Sequence, residues 1–495
     1  MALIDPLAHA PLATGIFLNR LAGAAGFQFF PAGSDGTVAL QLDPGRYQVD
    51  TVEPPGTEAQ FLRKRYDLIV GPQGEVTMSG VPPDARGFHR LTLGLAYVAT
   101  ATPEGLQRRA KLAALANEPA QTFQPRSACQ LRDQVTAERS FATDVSAGFP
   151  KVRIRLPSFG HIRALVVPVD FPDVVGKDKP QAFFGPIAAQ VREFYLKQSY
   201  GKLSFDFEVL ADWVRLPTSV TAFGFGGAVG TGDFSGYRNA LIGVTDGLVD
   251  YSQYDAVYFL VPKEMPYERM GWGPAITEPL WTRTGYIING ATGGADMYSV
   301  KTIDGAAWKW MAHETGHALG LVDEDLQHAS QTLGHWGIMA MNWSNAAIEH
   351  IGWDRYLQGW LGESQVACLP KDSLGAQGTR VALAPLVRQA PGVKLALVPL
   401  GEAKVLVIES RRSEGYDKIA PANQGVLVYT VDMRVGQLGG GYQTQRRQGS
   451  VERNFADAAL HAGDSVTVDD VVVTVTGGGN ENDTVLIMRK EYSSR

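Results

Sequence analysis

One stretch constrains this chain more than any other: residues 304–323, DGAAWKWMAHETGHALGLVD. It carries His313, Glu314, His317, Gly320 and Asp323 in the pattern H-E-x-x-H-x-x-G-x-x-D. A long run without proline, opened by Asp304 as N-cap, predicts a helix. Histidines four apart on a helix lie one above the other on one face, so their imidazoles can converge on a single ion. Gly320 is placed to take the left-handed conformation that ends a helix. The chain can then double back and bring Asp323 to the ion as a third ligand. Three protein ligands leave one tetrahedral position for water, as in a catalytic rather than a structural zinc site. Glu314, beside the first ligand, is placed to take a proton from that water. The bland alternative is a buried amphipathic helix with hydrogen-bonded histidines, but core helices seldom carry His, Glu and His so close together.

Length and charge set the frame around this stretch. A chain of 495 residues has room for two to four domains. Hydrophobic content of 45% and charged content of 19% are those of an ordinary globular protein. A net charge of -6 without a basic block gives no reason to expect nucleic acid or an anionic membrane surface as partner. No apolar run approaches the roughly 20 residues that span a bilayer. Asp5, Pro6 and His9 interrupt the opening residues, which do not read as a secretory signal. Two cysteines, Cys129 and Cys368, exclude a disulfide framework and a cysteine-based zinc site, and permit one bridge.

Taken in order, residues 1–100 read as a β-sandwich-like domain. TVALQLDPGRYQVDTV alternates Val38, Leu40 and Leu42, turns at Asp43-Pro44-Gly45, and resumes with Tyr47 and Val49. YDLIVGPQGEVTMSGV repeats the pattern around a glycine turn. Residues 101–150 start with a helical stretch, TPEGLQRRAKLAALANEPAQ, and become polar, which reads as a linker or prosegment. Cys129 within it has three readings: a latency thiol whose thiolate closes the open zinc position, a bridge to Cys368, or an inert thiol.

From 151 to 365 the texture is α/β. HIRALVVPVDFP is a strand buried on both faces, QVREFYLKQSYGKL is helical, LSFDFEVLADWVRLP is an edge or hairpin strand, and DAVYFLVP is another buried strand. AFGFGGAVGTGDFSGY lacks the spacing and lysine of a phosphate loop, and reads as a mobile loop near the cleft. ATGGADMYSV is a candidate edge strand for pairing an extended substrate. Beyond the metal helix, His328, His335, His350 and Glu349 are alternative ligands, although Asp323 has the shorter and fixed spacing. Met339 in HWGIMA sits where a tight turn can pass beneath the metal.

The motif H-E-x-G-H-x-L-G-L-x-D, together with ALVVPVDFPD, FYLKQSYGKLSFDFEV, WGIMA, VIESRRSEGYD and GVLVYTVD, resembles the immune inhibitor A family of secreted bacterial zinc metallopeptidases, a group similar to the metzincins. The resemblance covers roughly residues 150–435. It implies zinc ligands His313, His317 and Asp323, the general base Glu314, a Met-turn at Met339, and a secreted protein acting on protein or peptide substrates. Where some metzincins place a tyrosine two residues past the Met-turn methionine, this chain has Met341.

Residues 366–495 read as a separate C-terminal β domain, with strands at sandwich-like spacing. Carboxylates in NENDT and VDD are candidate calcium ligands without the spacing of an EF-hand loop. The expectation is a multidomain α+β chain: a metzincin-like peptidase domain, with a mixed sheet and an active-site helix, between two β-sandwich-like domains. Its expected activity is zinc-dependent endopeptidase. The alternatives are a binding or adhesion protein with a structural zinc helix, or a zinc hydrolase of a non-peptide amide or ester.

Overall fold

The computed structural model describes the chain apart from residues 5–13, 21–26, 53–60, 63–64, 79, 86, 93, 96–122, 135–144, 153, 229, 300–305, 326–331, 341–345, 375–376, 437–439, 453, 480 and 491–495. It divides into two compact units: Met1–Thr122 with Gln389–Gly392, and Phe123–Arg388 with Val393–Arg495. The helical stretch expected at 102–121, Asp304, His328 and Met341 lie outside the described residues.

In the first unit, β1 (Gly15–Arg20), β2 (Phe27–Pro31), β3 (Gly45–Val52), β4 (Arg65–Val70) and β5 (Val76–Met78) form an antiparallel sheet in the order β2-β1-β3-β4-β5. The β4–β5 hairpin pairs Leu68 with Met78 and Val70 with Val76, as the glycine turn between them predicts. Tyr66, Leu68 and Val70 point into the core while Asp67 and Ile69 point out, the period-two pattern of a half-buried strand. Leu3 and Leu91, from the short parallel pair Ala2–Ile4 and Arg90–Thr92, complete that core with Ile16, Leu18 and Val49. Two expectations change. Val38, Leu40 and Leu42 alternate without forming a ladder: Val38 is buried, but its N–H goes to Met1 O at 2.9 Å instead of to a neighbouring strand. In place of a sandwich, the described residues form one sheet and two short pairs, the second being Phe61–Leu62 with Gly94–Leu95, and Phe29, Ile69 and Val76 are exposed.

The second unit is built on β6 (Gly160–Asp170), whose apolar run serves two cores. Ile162, Ala164 and Val166 join Phe184, Val191 and Phe194 of helix α1 (Pro180–Gln198) on one face. Leu165, Val167 and Val169 join Tyr237 and Leu241 of helix α2 (Phe234–Thr245) on the other. Strands β7 (Leu203–Val209), β8 (Ala256–Leu260) and β9 (Gly290–Thr292) pair in parallel in the order β7-β6-β8-β9. The expected edge strand is thus β7, paired in parallel with β6 and not part of a hairpin. Val214–Arg215 also pairs in parallel with β6. Among the described residues, the one antiparallel contact with this sheet is a bridge between Ala275 and Ala291 at the β9 edge, so the expected mixed character is confined there to that rim.

Residues 366–495 do form two packed sheets, but not a separate body. One sheet has the order β10-β12-β13-β14-β15: β10 (Val366–Cys368), β12 (Leu395–Pro399), β13 (Lys404–Arg411), β14 (Gly425–Asp432) and β15 (Tyr442–Thr444). The other joins β11 (Thr379–Leu383) to β18 (Asp483–Arg489), β17 (Val471–Gly478) and β16 (Ser465–Val468). Leu406, Ile408, Val426 and Val428 face the second sheet, against Val473, Val475, Val485 and Ile487. Their neighbours Val405, Val407, Leu427 and Tyr429 face the other way, into a core with Trp336, Trp353 and Tyr356. The first sheet is therefore a middle layer with both faces covered, which is why its strands read as unbroken apolar runs. The expected boundary at residue 365 falls inside one core.

The described parts of 101–150 are also integral to this unit. Cys129, Asp133, Val145, Ser146 and Ala147 are buried, and Ser146 N donates to Gly320 O at 2.8 Å. Cys129 is bonded to Cys368, with Cα atoms 5.8 Å apart across a sequence separation of 239 residues. These residues are packed into the unit and are not a solvated linker.

Candidate metal centre

After the short helix α3 (Asp296–Ser299), helix α4 (Ala306–Ala318) carries Trp310, Met311, Ala312 and Ala318 into the core beneath β6. Its end is a Schellman motif: Gly320 N donates to His317 O and Leu321 N to Gly316 O, both at 2.9 Å. Gly320 has φ +88°, and a Cβ there would meet nothing closer than Arg155 Cγ at 3.6 Å. Glycine is required here by the backbone conformation, not by space.

The turn returns the chain over the helix face. Asp323 Oδ1 lies 3.1 Å from His313 Nε2 and 3.3 Å from His317 Nε2. The imidazole planes are 89° apart with centroids 4.8 Å apart. One donor atom from each of His313, His317 and Asp323 lies within 4.8 Å of the others, and all three residues are buried. Each ring is oriented from behind. His313 Nδ1 meets Ile338 O at 2.8 Å and His317 Nδ1 meets Leu321 O at 2.9 Å. A carbonyl only accepts, so both Nδ1 atoms carry a proton, which leaves Nε2 of each ring as the atom turned toward Asp323 and the nitrogen a metal would take in place of a proton. The donor set, two imidazole nitrogens and a carboxylate oxygen, fits a divalent transition metal.

Met339 packs against the helix at Gly316, between the two histidines. It lies in a single 3₁₀ turn, Ile338–Ala340, whose Ile338 carbonyl orients His313 and whose Met339 carbonyl accepts from Glu324 N at 2.9 Å. A Cβ on Gly316 would fall 2.3 Å from Met339 Sδ, so the glycine between the histidines makes room for this turn.

Burial disfavours a charged His317, but the adjacent Asp323 carboxylate outweighs it and pushes the imidazole pKa up to about 9. Burial likewise opposes charge on Asp323, yet His317 and His313 hold its carboxyl well below the usual range. Glu314 is only 6% exposed and is not one of the three converging donors. Burial raises its pKa, partly offset by the neighbouring imidazoles and by the Ala275 N–H. Asp296, which no motif singles out, is pushed up to about 7 by burial and then by the Glu314 charge.

The alternative ligands go elsewhere. Glu349 Oε2 is held by Arg355 at 2.5 Å and Gln198 at 2.7 Å. His350 Nδ1 meets Asp354 Oδ2 at 2.9 Å, and the His335 ring meets Asn454 Nδ2 at 3.0 Å. The latency reading of Cys129 falls, because its sulfur is bonded to Cys368 and has no thiolate to offer. The calcium candidates are paired with cations: Asp483 with Arg412 at 2.8 Å, Asp470 with Lys371 at 2.5 Å, and Asp469 with Lys404 at 3.8 Å.

Of ATGGADMYSV, only Ala291 and Thr292 are strand; Asp296–Ser299 is a short helix. The outer edge of β9 is already covered by the chain before it, since Ile276 N donates to Gly290 O and Thr292 N to Pro274 O, both at 2.9 Å. The rim at this edge of the sheet is therefore Gly273–Ile276, which has no strand-like pattern in sequence. The glycine-rich loop is tied to the segment leading into this rim, through Gly271 N to Gly226 O at 2.9 Å. Asp233 at its end caps α2 by accepting from Gly236 N.

No protein-family model matches the chain, and no curated protein matches it.

Proposed function

We propose that this chain is a zinc-dependent endopeptidase like those of the immune inhibitor A family, with His313, His317 and Asp323 holding the ion and Glu314 as general base and acid. One observation carries the reading: a buried carboxylate that is not among the converging donors stands immediately beside them. A zinc ion bound there would polarise a carbonyl and bring the pKa of a bound water to about 7. Glu314 then takes the proton of the attacking water and returns it to the leaving amine. Its raised pKa suits a group that must both accept and donate near neutral pH. Ile338 and Leu321 keep the imidazoles turned toward the ion through their Nδ1–H bonds.

Secretion is part of the same proposal. A buried disulfide supports it, because such bonds persist in oxidising compartments. Among the described residues no helix is long and apolar enough to cross a membrane.

The test is Glu314→Gln, with zinc content and turnover of a peptide library and of simple esters measured on one sample. Zinc stays near one equivalent while peptide hydrolysis falls about 10²–10⁴-fold, the range for loss of a general base. Activity near wild type in Glu314→Gln sinks the mechanism, and hydrolysis of esters alone by the unmodified chain moves the substrate class.

A further inference from the structure

A two-stranded hairpin, Leu280–Thr282 with Gly285–Ile287, leaves the sheet between the rim Gly273–Ile276 and β9. Its register sorts its side chains: Leu280 pairs with Ile287, and Trp281 with Tyr286. Leu280 and Ile287 are buried in the core with Tyr237 and Leu241 of α2, so the alternate pair faces out. Trp281 is 73% exposed and Tyr286 53%, with ring centroids 5.5 Å apart at 61°. Leu248, 72% exposed, belongs to the turn that grips the hairpin tip. There Arg283 N donates to both carboxylate oxygens of Asp246, at 3.0 and 2.9 Å, and Arg283 Nη2 donates to Asp246 O at 3.1 Å. A cross-strand aromatic pair stiffens a ribbon, but only the touching faces of the rings serve that purpose. An indole and a phenol left this open, with a leucine from the adjoining turn, are what the anchors of binding surfaces are made of.

The base of the hairpin is fixed to the metal turn. Ile276, the last residue of the rim, and Ile288, just past the hairpin, both accept from Arg155 Nη1, at 3.0 and 2.6 Å. Arg155 is buried, and its stem lies along Gly320, where an added Cβ would come 3.6 Å from Arg155 Cγ. The next residue is tied to the end of α4, through Leu156 N to Ala318 O at 2.9 Å. One arginine thus joins the turn that delivers Asp323 to both ends of the hairpin. Charge narrows the occupant. Residues 246–253 and 277–288 carry Asp246, Asp250 and Glu278 against a single base, Arg283. Arg238 of α2 is buried, with its guanidinium on Ala275 O at 3.0 Å. Such a surface repels an anionic lipid face and draws in a basic segment.

We propose that Trp281 and Tyr286, with Leu248, form a docking platform for the polypeptide substrate of the hydrolysis proposed above. An apolar side chain of the substrate lies against the rings, and a lysine or arginine beside it faces Glu278 and Asp250. The inference rests on the peptidase reading and deepens it, because it assigns specificity to residues outside the metal centre.

The test uses the full chain loaded with zinc and its double variant Trp281→Ser, Tyr286→Ser, with two quenched fluorescent peptide pools. One pool holds dodecapeptides, about 40 Å long when extended, with a Leu-Lys pair at scanned positions; the other holds tetrapeptides of about 14 Å. Both substituted positions are exposed, so folding and zinc content stay those of the unmodified chain. KM for the dodecapeptides rises about tenfold with kcat within about twofold, the split expected when a contact equal in ground and transition states is lost. Tetrapeptides, too short to reach past the metal centre to the hairpin, change by less than about twofold. Leu-Glu in place of Leu-Lys raises KM of the unmodified chain about threefold, the scale of an exposed charge pair.

An unchanged KM for dodecapeptides in the double variant overturns the proposal. An equal loss on both pools shows that the pair only stiffens the hairpin, and overturns it too. Equal KM for Leu-Lys and Leu-Glu overturns the choice of a basic segment. Sedimentation with phosphatidylcholine vesicles that the double variant loses, without a change in KM, assigns the face to a membrane instead. If the unmodified chain cleaves neither pool, the peptidase reading fails separately. Fluorescence anisotropy of labelled dodecapeptides with both proteins then still decides whether the rings bind a polypeptide.

Discussion

Asp323 and Glu349 are both buried carboxylates of the second unit, and by residue type each is an eligible partner for the paired histidines. Their surroundings differ in kind. Around Glu349 the charges answer one another: Arg355 bonds Glu349 at 2.5 Å, and Arg411 bonds Asp417 at 2.6 Å and Glu409 at 3.1 Å. The network joins α1, the short helix Gly352–Leu357 and β13, so it ties the parallel sheet to the middle layer of the C-terminal sandwich. Around Asp323 the converging groups are two imidazoles whose Nε2 atoms both face the same carboxylate oxygen. The first cluster is complete without an ion. The second presents three donor atoms to one point, and a metal cation would take the place of shared protons.

The comparison is broken most directly at the ligand. Asp323→Ala should lose most of its metal and all activity, because two imidazoles leave the ion under-coordinated and poorly oriented. Glu349→Ala and His335→Ala should hold near one equivalent in whatever fraction folds. Metal per chain after dialysis against a weak chelator separates them. Retention by Asp323→Ala with release by either of the others would reverse the assignment.

A change in the other cluster should have the opposite signature. Arg355→Met leaves Glu349 buried without its guanidinium, and removing one partner of a buried pair costs about 3–5 kcal/mol. Thermal and denaturant unfolding should report that loss while metal per folded chain stays unchanged. A variant that keeps its stability but sheds metal would show that the two clusters are coupled.

The smallest effect expected is at the disulfide. Opening the Cys129–Cys368 bond in Cys129→Ser should cost about 2–5 kcal/mol by freeing the unfolded chain. Activity at low temperature should not change. A rise in activity on substitution or reduction would bring back the latent-thiol reading.

What the sequence determined by itself is local. His313, Glu314 and His317 are placed by helix geometry alone, Gly320 by the left-handed turn, and Asp323 by the few residues that follow that turn. Each of these relations spans ten residues or fewer and depends on backbone dihedrals that residue type fixes. The strands were legible too, because burial on both faces leaves an unbroken apolar run in β6, β13 and β14. Their grouping into bodies was not. An apolar run says that a face is covered and not by what, so the core shared by residues 129–459 read as a domain boundary.

The rest was decided by tertiary structure. The bond from His313 to Ile338 crosses 25 residues, that from Arg238 to Ala275 crosses 37, and that from Gln198 to Glu349 crosses 151. Nothing in residue type or spacing encodes such pairings; they exist because separate elements pack into one core and bring their polar groups within reach. Whether a buried carboxylate is free to serve as a ligand or is taken up in an ion pair depends on which nitrogen arrives beside it: for Asp323 an imidazole, for Glu349 a guanidinium.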